Sequence, residues 1–136
     1  MIFPIFIEQL SVSKDFRISF DMRSSTKAGV LFYVYGGGDF LSISIEENGS
    51  IRAVCNNGGG KFSVSYKPEP SVCNGEFYSV LLVKKSKTLT LTVNGAETEE
   101  TTTKSSSSAD TNSPAYFGGL PQNLQLSWAK STDGKL

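Results

Sequence analysis

The chain has 136 residues, 13 basic and 13 acidic side chains, and no histidine. That length suits one domain, residues 1–136, with a core large enough to fold without covalent staples; the balanced charge lacks the basic footprint of a nucleic-acid binder. The missing histidine removes the commonest general base and the commonest metal ligand, which excludes Ser-His-Asp and Cys-His catalysis and argues against a zinc site.

The chain opens on a short apolar stretch, Met1 to Ile7. It has no charged leader region and no cleavage site, so it does not read as a signal peptide. A secreted product would therefore be a piece of a longer precursor. No apolar run approaches the roughly 18 residues of a membrane-spanning helix.

Period-two alternation begins with Phe16, Ile18, Phe20 and Met22, set between Arg17, Ser19 and Asp21. It continues in Val30, Phe32 and Val34, then in Leu41, Ile43 and Ile45, each run predicting a strand with one apolar face. Ile51, Ala53 and Cys55 follow, then Phe62 and Val64, and later Leu89, Leu91 and Val93 between threonines. Turn chemistry separates the runs at Gly36-Gly37-Gly38, Asn48-Gly49, Asn57 to Gly60, Asn74-Gly75 and Asn94-Gly95. Strands of this length, with turns every ten residues or so, predict an all-β, antiparallel sandwich or jelly roll. Glu97 to Thr111 is polar and reads as a long surface loop, with room for a short edge strand. Leu124, Leu126 and Trp128 alternate and suggest one further strand.

Several residues could carry chemistry. Asp39 follows three glycines and opens a strand, and Asp110 closes the polar loop. Each reads either as a turn aspartate or as a ligand for calcium, a hard cation that takes carboxylate and carbonyl oxygens. Glu46 and Glu47 are neighbours in a strand and so point to opposite faces, and Glu99 and Glu100 lack fixed geometry, so no glycosidase-like carboxylate pair is specified. Lys84, Lys85 and Lys87 form a basic cluster, either a solvated hairpin end or a site for sulfated or other acidic sugars. Cys55 and Cys73 read either as buried thiols or as a bridge closing a loop of about 17 residues, worth roughly 3 kcal/mol. Asn48-Gly49-Ser50 is an N-glycosylation sequon in a turn.

The order of these motifs resembles a known family. Phe16 to Ser24 followed by Ala28-Gly29-Val30-Leu31-Phe32-Tyr33, then Asp39-Phe40-Leu41, resembles the opening of laminin-G-like domains. Cys73-Asn74-Gly75-Glu76-Phe77-Tyr78 resembles the family's C-D-G-x-W-H motif, with Phe and Tyr for Trp and His. Lys85-Ser86-Lys87 with Leu89 to Gly95, then Ser108 to Pro114 and Tyr116 to Pro121, resembles its later motifs. The resemblance spans residues 16–121, nearest to the G domains of laminin α chains.

It implies a concanavalin-type jelly roll and a calcium site, with Asp39 and Asp110 as carboxylate ligands and the backbone carbonyls of Asn57 and Ser108 completing the protein's share. It implies an extracellular adhesion module that catalyses nothing. Its partners would be receptor glycans of the dystroglycan kind, heparan sulfate or sulfatide, and in some domains integrins. The family's closing F-x-G-C motif is missing after residue 121, so a truncated or variant C-terminus is expected. Two other functions remain open: a lectin gripping neutral sugar with aromatic side chains, and, less favoured, a glycoside hydrolase on a related jelly roll.

Overall fold

The computed structural model describes residues 5–7, 10–23, 28–69, 75–103 and 106–118. Among these there are ten strands and no helix. They are β1 (Ile5–Ile7), β2 (Asp15–Met22), β3 (Gly29–Gly36), β4 (Asp39–Ile45), β5 (Ile51–Asn56), β6 (Lys61–Tyr66), β7 (Tyr78–Lys85), β8 (Thr88–Val93), β9 (Ala96–Thr101) and β10 (Ala115–Phe117). A six-stranded sheet has the order β1-β10-β3-β4-β5-β6, and a four-stranded sheet has the order β2-β7-β8-β9. Every pairing within them is antiparallel. The two sheets face each other over one apolar core, as the alternating sequence requires.

Leu41, Ile43 and Ile45 of β4 and Ile51, Ala53 and Cys55 of β5 supply the inner face of the larger sheet. Val80 and Leu82 of β7 and Leu89, Leu91 and Val93 of β8 supply that of the smaller one. Phe32 is fully buried and joins the layers. Its ring stacks on Phe16 of the opposite sheet at 6.0 Å and tilts against Phe117 at 5.1 Å.

β3 departs from simple alternation. The register with β4 shifts between Val30 and Phe32, a bulge that makes Leu31 an extra residue. Phe32 and Val34 face the core as expected, but Val30 sits on the opposite face, where it and Tyr33 form a second buried cluster. A one-residue slip exchanges the faces of everything beyond it. The polar segment from Glu97 forms the edge strand for which the sequence left room: β9 pairs with β8 through six residues and is largely exposed. Backbone pairing supports it without apolar side chains, because the Asn94-Gly95 turn sets both residues at positive φ and returns the chain in register. The strand expected around Trp128 and the expected shortfall of closing strands lie outside the described residues.

Antiparallel connection gathers alternate turns at opposite ends of the sandwich. The β3–β4, β5–β6 and β7–β8 turns share one end, and the β4–β5 turn, with Asn48, lies at the other.

Candidate functional site

Asp39 and Asp110 are 71 residues apart in sequence and meet at the end that carries the β3–β4 turn. The Asp110 backbone N–H donates to Asp39 Oδ2 at 2.8 Å, and the Ser108 hydroxyl donates to Asp110 Oδ1 at 2.9 Å. Neither Asp39 Oδ1 nor Asp110 Oδ2 is hydrogen-bonded among the described residues. Gly36, Gly37, Gly38, Asn56, Gly58 and Asn112 complete an open depression around the two carboxylates. This gives the site two acidic groups with a free oxygen each, a hard-donor set of the kind a group 2 cation takes. Among the described residues there is no cluster of three or more acidic, cysteine or histidine side chains.

Local sequence explains the convergence. Gly37, at φ +61°, turns β3 directly into β4 and places Asp39 on the first position of the new strand. The segment around Asp110 is tied down on both sides. The Asn112 and Ser113 amides both donate to the Tyr35 carbonyl, while the Tyr35 amide donates to Ser113 Oγ at 2.9 Å. Ala109 exchanges two backbone hydrogen bonds with Ser13, and Thr111 Oγ1 accepts from Val12 N–H and donates to the Leu10 carbonyl. Gly36 allows this close approach, since a Cβ there would lie 2.6 Å from the Asp110 carbonyl oxygen.

Asn57 follows β5 in the adjacent turn. Its side chain is buried and points inward: Nδ2 donates to the Ser86 and Ser106 carbonyls, both at 3.4 Å, and Oδ1 accepts from the Cys55 thiol. Its neighbour Gly58, at φ +96°, packs against Asp39, so that a Cβ there would lie 3.3 Å from Asp39 Oδ1. The Asn57 and Ser108 segments therefore border the same depression, and neither carbonyl accepts a backbone hydrogen bond from another described residue.

One expectation is corrected. Lys84 is not a surface contact for glycans. It is 0 % exposed, and its ammonium donates to the carbonyls of Ser13 (3.0 Å), Lys14 (2.9 Å), Ser86 (2.9 Å) and Ser107 (2.9 Å). Burial pulls its pKa below the usual lysine value, opposed by the fields of Cys55 and Asp15. Cys55 is a free, buried thiol, one of the two readings its sequence left open, with its pKa pushed up to about 12 by burial; the Lys84 charge works against the rise and Asp39 adds to it. Cys73 lies outside the described residues. Lys85 is exposed and Lys87 half-buried, at the β7–β8 turn. Ser86 of that turn is bonded by Asn57, so this turn borders the Asp39 site. Asn48 is exposed at the opposite end, its Oδ1 accepting from the Ser50 amide at 2.9 Å.

Sequence reading missed the cage around Lys84, although alternation carried a signal for it. Lys84 is in phase with Val80 and Leu82, so the same period that buries those residues points Lys84 inward. It also missed Asn112, whose Oδ1 a Gly36 Cβ would approach to 2.9 Å. Nothing in the local sequence marks that contact.

The same architecture occurs in known proteins. The chain is 30 % identical over 122 residues to the mouse laminin subunit alpha-1, covering 87 % of this chain and 4 % of that protein. It is 32 % identical over 120 residues to human usherin, covering 84 % of this chain and 2 % of that protein. The chain thus spans only a few per cent of these relatives' length. Among solved structures, domains LG4-5 of the mouse laminin alpha1 chain superpose with a TM-score of 0.82 at 29 % identity, covering 95 % of this chain and 35 % of that one. The Laminin G domain family model matches residues 22–135, past the last motif read from the sequence. With two antiparallel sheets, the laminin neighbours and a family match over most of its length, the chain belongs to the laminin G domain family.

Proposed function

We propose that this domain is an extracellular adhesion module that binds calcium between Asp39 and Asp110 and uses that end of the sandwich to hold an acidic glycan of a receptor or matrix polysaccharide. The observation that carries the reading is the junction itself. Two aspartates remote in sequence are locked together by the Asp110 amide and Asp39 Oδ2, and both line the depression. The Asn57 and Ser108 carbonyls are the remaining protein donors. Four protein oxygens fall short of the six to eight that calcium takes, which leaves positions for water or for a ligand's anionic oxygen. When bound, calcium supplies a positive charge that a carboxylate, phosphate or sulfate can complete.

The chain's own residues do the rest. Ser108 orients Asp110, the Asp110 amide orients Asp39, and Gly58 keeps the approach open. Lys85 and Lys87 add positive charge at the neighbouring turn, favouring heparan sulfate, sulfatide or acidic receptor glycans of the dystroglycan kind, with integrins as a further partner class. Thermal melting tests the reading. A ligand that binds only the folded state stabilises it by about 2.7 kcal/mol at a concentration one hundred times its Kd. Calcium should raise the melting temperature of the wild type, and Asp39→Ala and Asp110→Ala should each abolish the rise. A folded wild type indifferent to calcium would rule the ion out.

A second reading, as a lectin for neutral sugar, draws on the outer face of the six-stranded sheet. Tyr33 and Tyr35 stack there at 5.6 Å beside Phe40 and Tyr116; Tyr33 and Ser42 are buried, so the partly exposed Tyr35, Phe40 and Tyr116 would have to make the sugar contact. Glycan binding that survives a chelator would favour this face over the loop end.

A further inference from the structure

The cage around Lys84 is built unlike an ordinary buried ion pair. Its ammonium is fully buried, yet among the described residues no carboxylate lies within salt-bridge distance, and four backbone carbonyls receive its three N–H donors. A buried charge is costly unless its hydrogen bonds are met, and carbonyl dipoles meet it here. The four oxygens come from three separate stretches of chain: the segment entering β2, the β7–β8 turn, and the segment that leads to Asp110. Two of these stretches, at Ser13 and Ala109, are also joined by a backbone bridge next to Asp110. Asn57 reinforces the same junction by gripping Ser86 and Ser106.

We propose that Lys84 is the positioning residue of the loop end: its ammonium gathers the Ser13, Lys14, Ser86 and Ser107 carbonyls and thereby sets Asp110 against Asp39. As a statement about calcium affinity this rests on the function proposed above; as a statement about geometry it does not. Lys84 touches no ligand. It acts through the backbone of residues 106–109, and a hydrophobic residue of similar length would fill its volume without holding the carbonyls together.

The test compares Lys84→Met with Leu91→Ala, a core change in β8 that weakens the fold without touching the cage. Amide hydrogen exchange is followed without calcium, and calcium affinity is measured by titration at a temperature where both variants are folded. The Asp110 amide is a direct reporter, because its proton is the one donated to Asp39 Oδ2. Lys84→Met should lower its protection at least about tenfold more than Leu91→Ala does, a local opening and not a global one. Calcium affinity should fall by at least about tenfold in Lys84→Met and stay near wild type in the folded Leu91→Ala protein. If Lys84→Met does not fold, Lys84→Gln takes its place, since its amide can still meet part of the cage, and an intermediate loss is expected. Equal Asp110 protection in the cage and control variants would overturn the proposal. A wild type that binds no calcium, together with Asp110 protection lost only in the Lys84 variant, would overturn the calcium reading and leave the role of Lys84 standing.

Discussion

At Gly36 two segments approach so closely that a side chain has no space. A Cβ would stand 2.6 Å from the Asp110 carbonyl oxygen and 2.9 Å from Asn112 Oδ1. Gly36→Ala should therefore cost about 1–3 kcal/mol by chemical denaturation, the range for forced overpacking. The nearest atom displaced is the Asp110 carbonyl oxygen, so the calcium response should weaken in the same variant. Cys55 makes a separate claim. Its folded pKa is raised to about 12, above the unfolded value near 9, so the folded state keeps its proton longer. The stability this contributes is fully present below about pH 9 and is lost as pH rises toward 12, with a slope of up to about 1.4 kcal/mol per pH unit for one proton. Denaturation curves between pH 8 and 11 should show a shallower alkaline loss in Cys55→Ala than in the wild type. Equal slopes would mean that the thiol is not the group responsible.

Elements were legible where side chains alternate cleanly and obscure where backbone alone decides. β2, β4, β5 and β8 follow their apolar residues almost position for position. β9 carries three glutamates and forms because the turn before it aligns the ladder. In that turn Asn94 does more than adopt positive φ: its Oδ1 accepts from the Ser79 amide at 2.7 Å, and its own amide donates to the Ser79 carbonyl. Asn94→Ala loses the side-chain bond and strains the left-handed position, so a loss of about 1–2 kcal/mol should appear as a lower melting temperature. The bulge in β3 leaves no mark in composition, so strict alternation puts Val30 on the same face as Phe32 and Val34, which the fold does not. β1 is three residues of an apolar start whose pairing with β10 is a long-range event that no local pattern announces. The aspartates were legible as family positions, whereas their approach depends on Gly36, Gly58 and the Lys84 cage, which only the folded chain brings together.

For the molecule as a whole, the sandwich separates its two ends by the length of its strands. One end gathers Asp39, Asp110, the Asn57 turn and the lysine-bearing β7–β8 turn; the other carries the Asn48 sequon. A carbohydrate on Asn48 would project away from the candidate ligand surface and leave it accessible. Both sheets contribute to the candidate binding end, since β3–β6 carry the aspartate and asparagine turns while β7 supplies the Lys84 ammonium. Calorimetric titration of the wild type with calcium, alongside Asp39→Ala and Asp110→Ala, tests this arrangement most directly. The predicted result is one calcium bound per chain in the wild type and none in either variant, with both variants still folded. A wild type that takes up no calcium, or variants that bind it as the wild type does, would contradict the account.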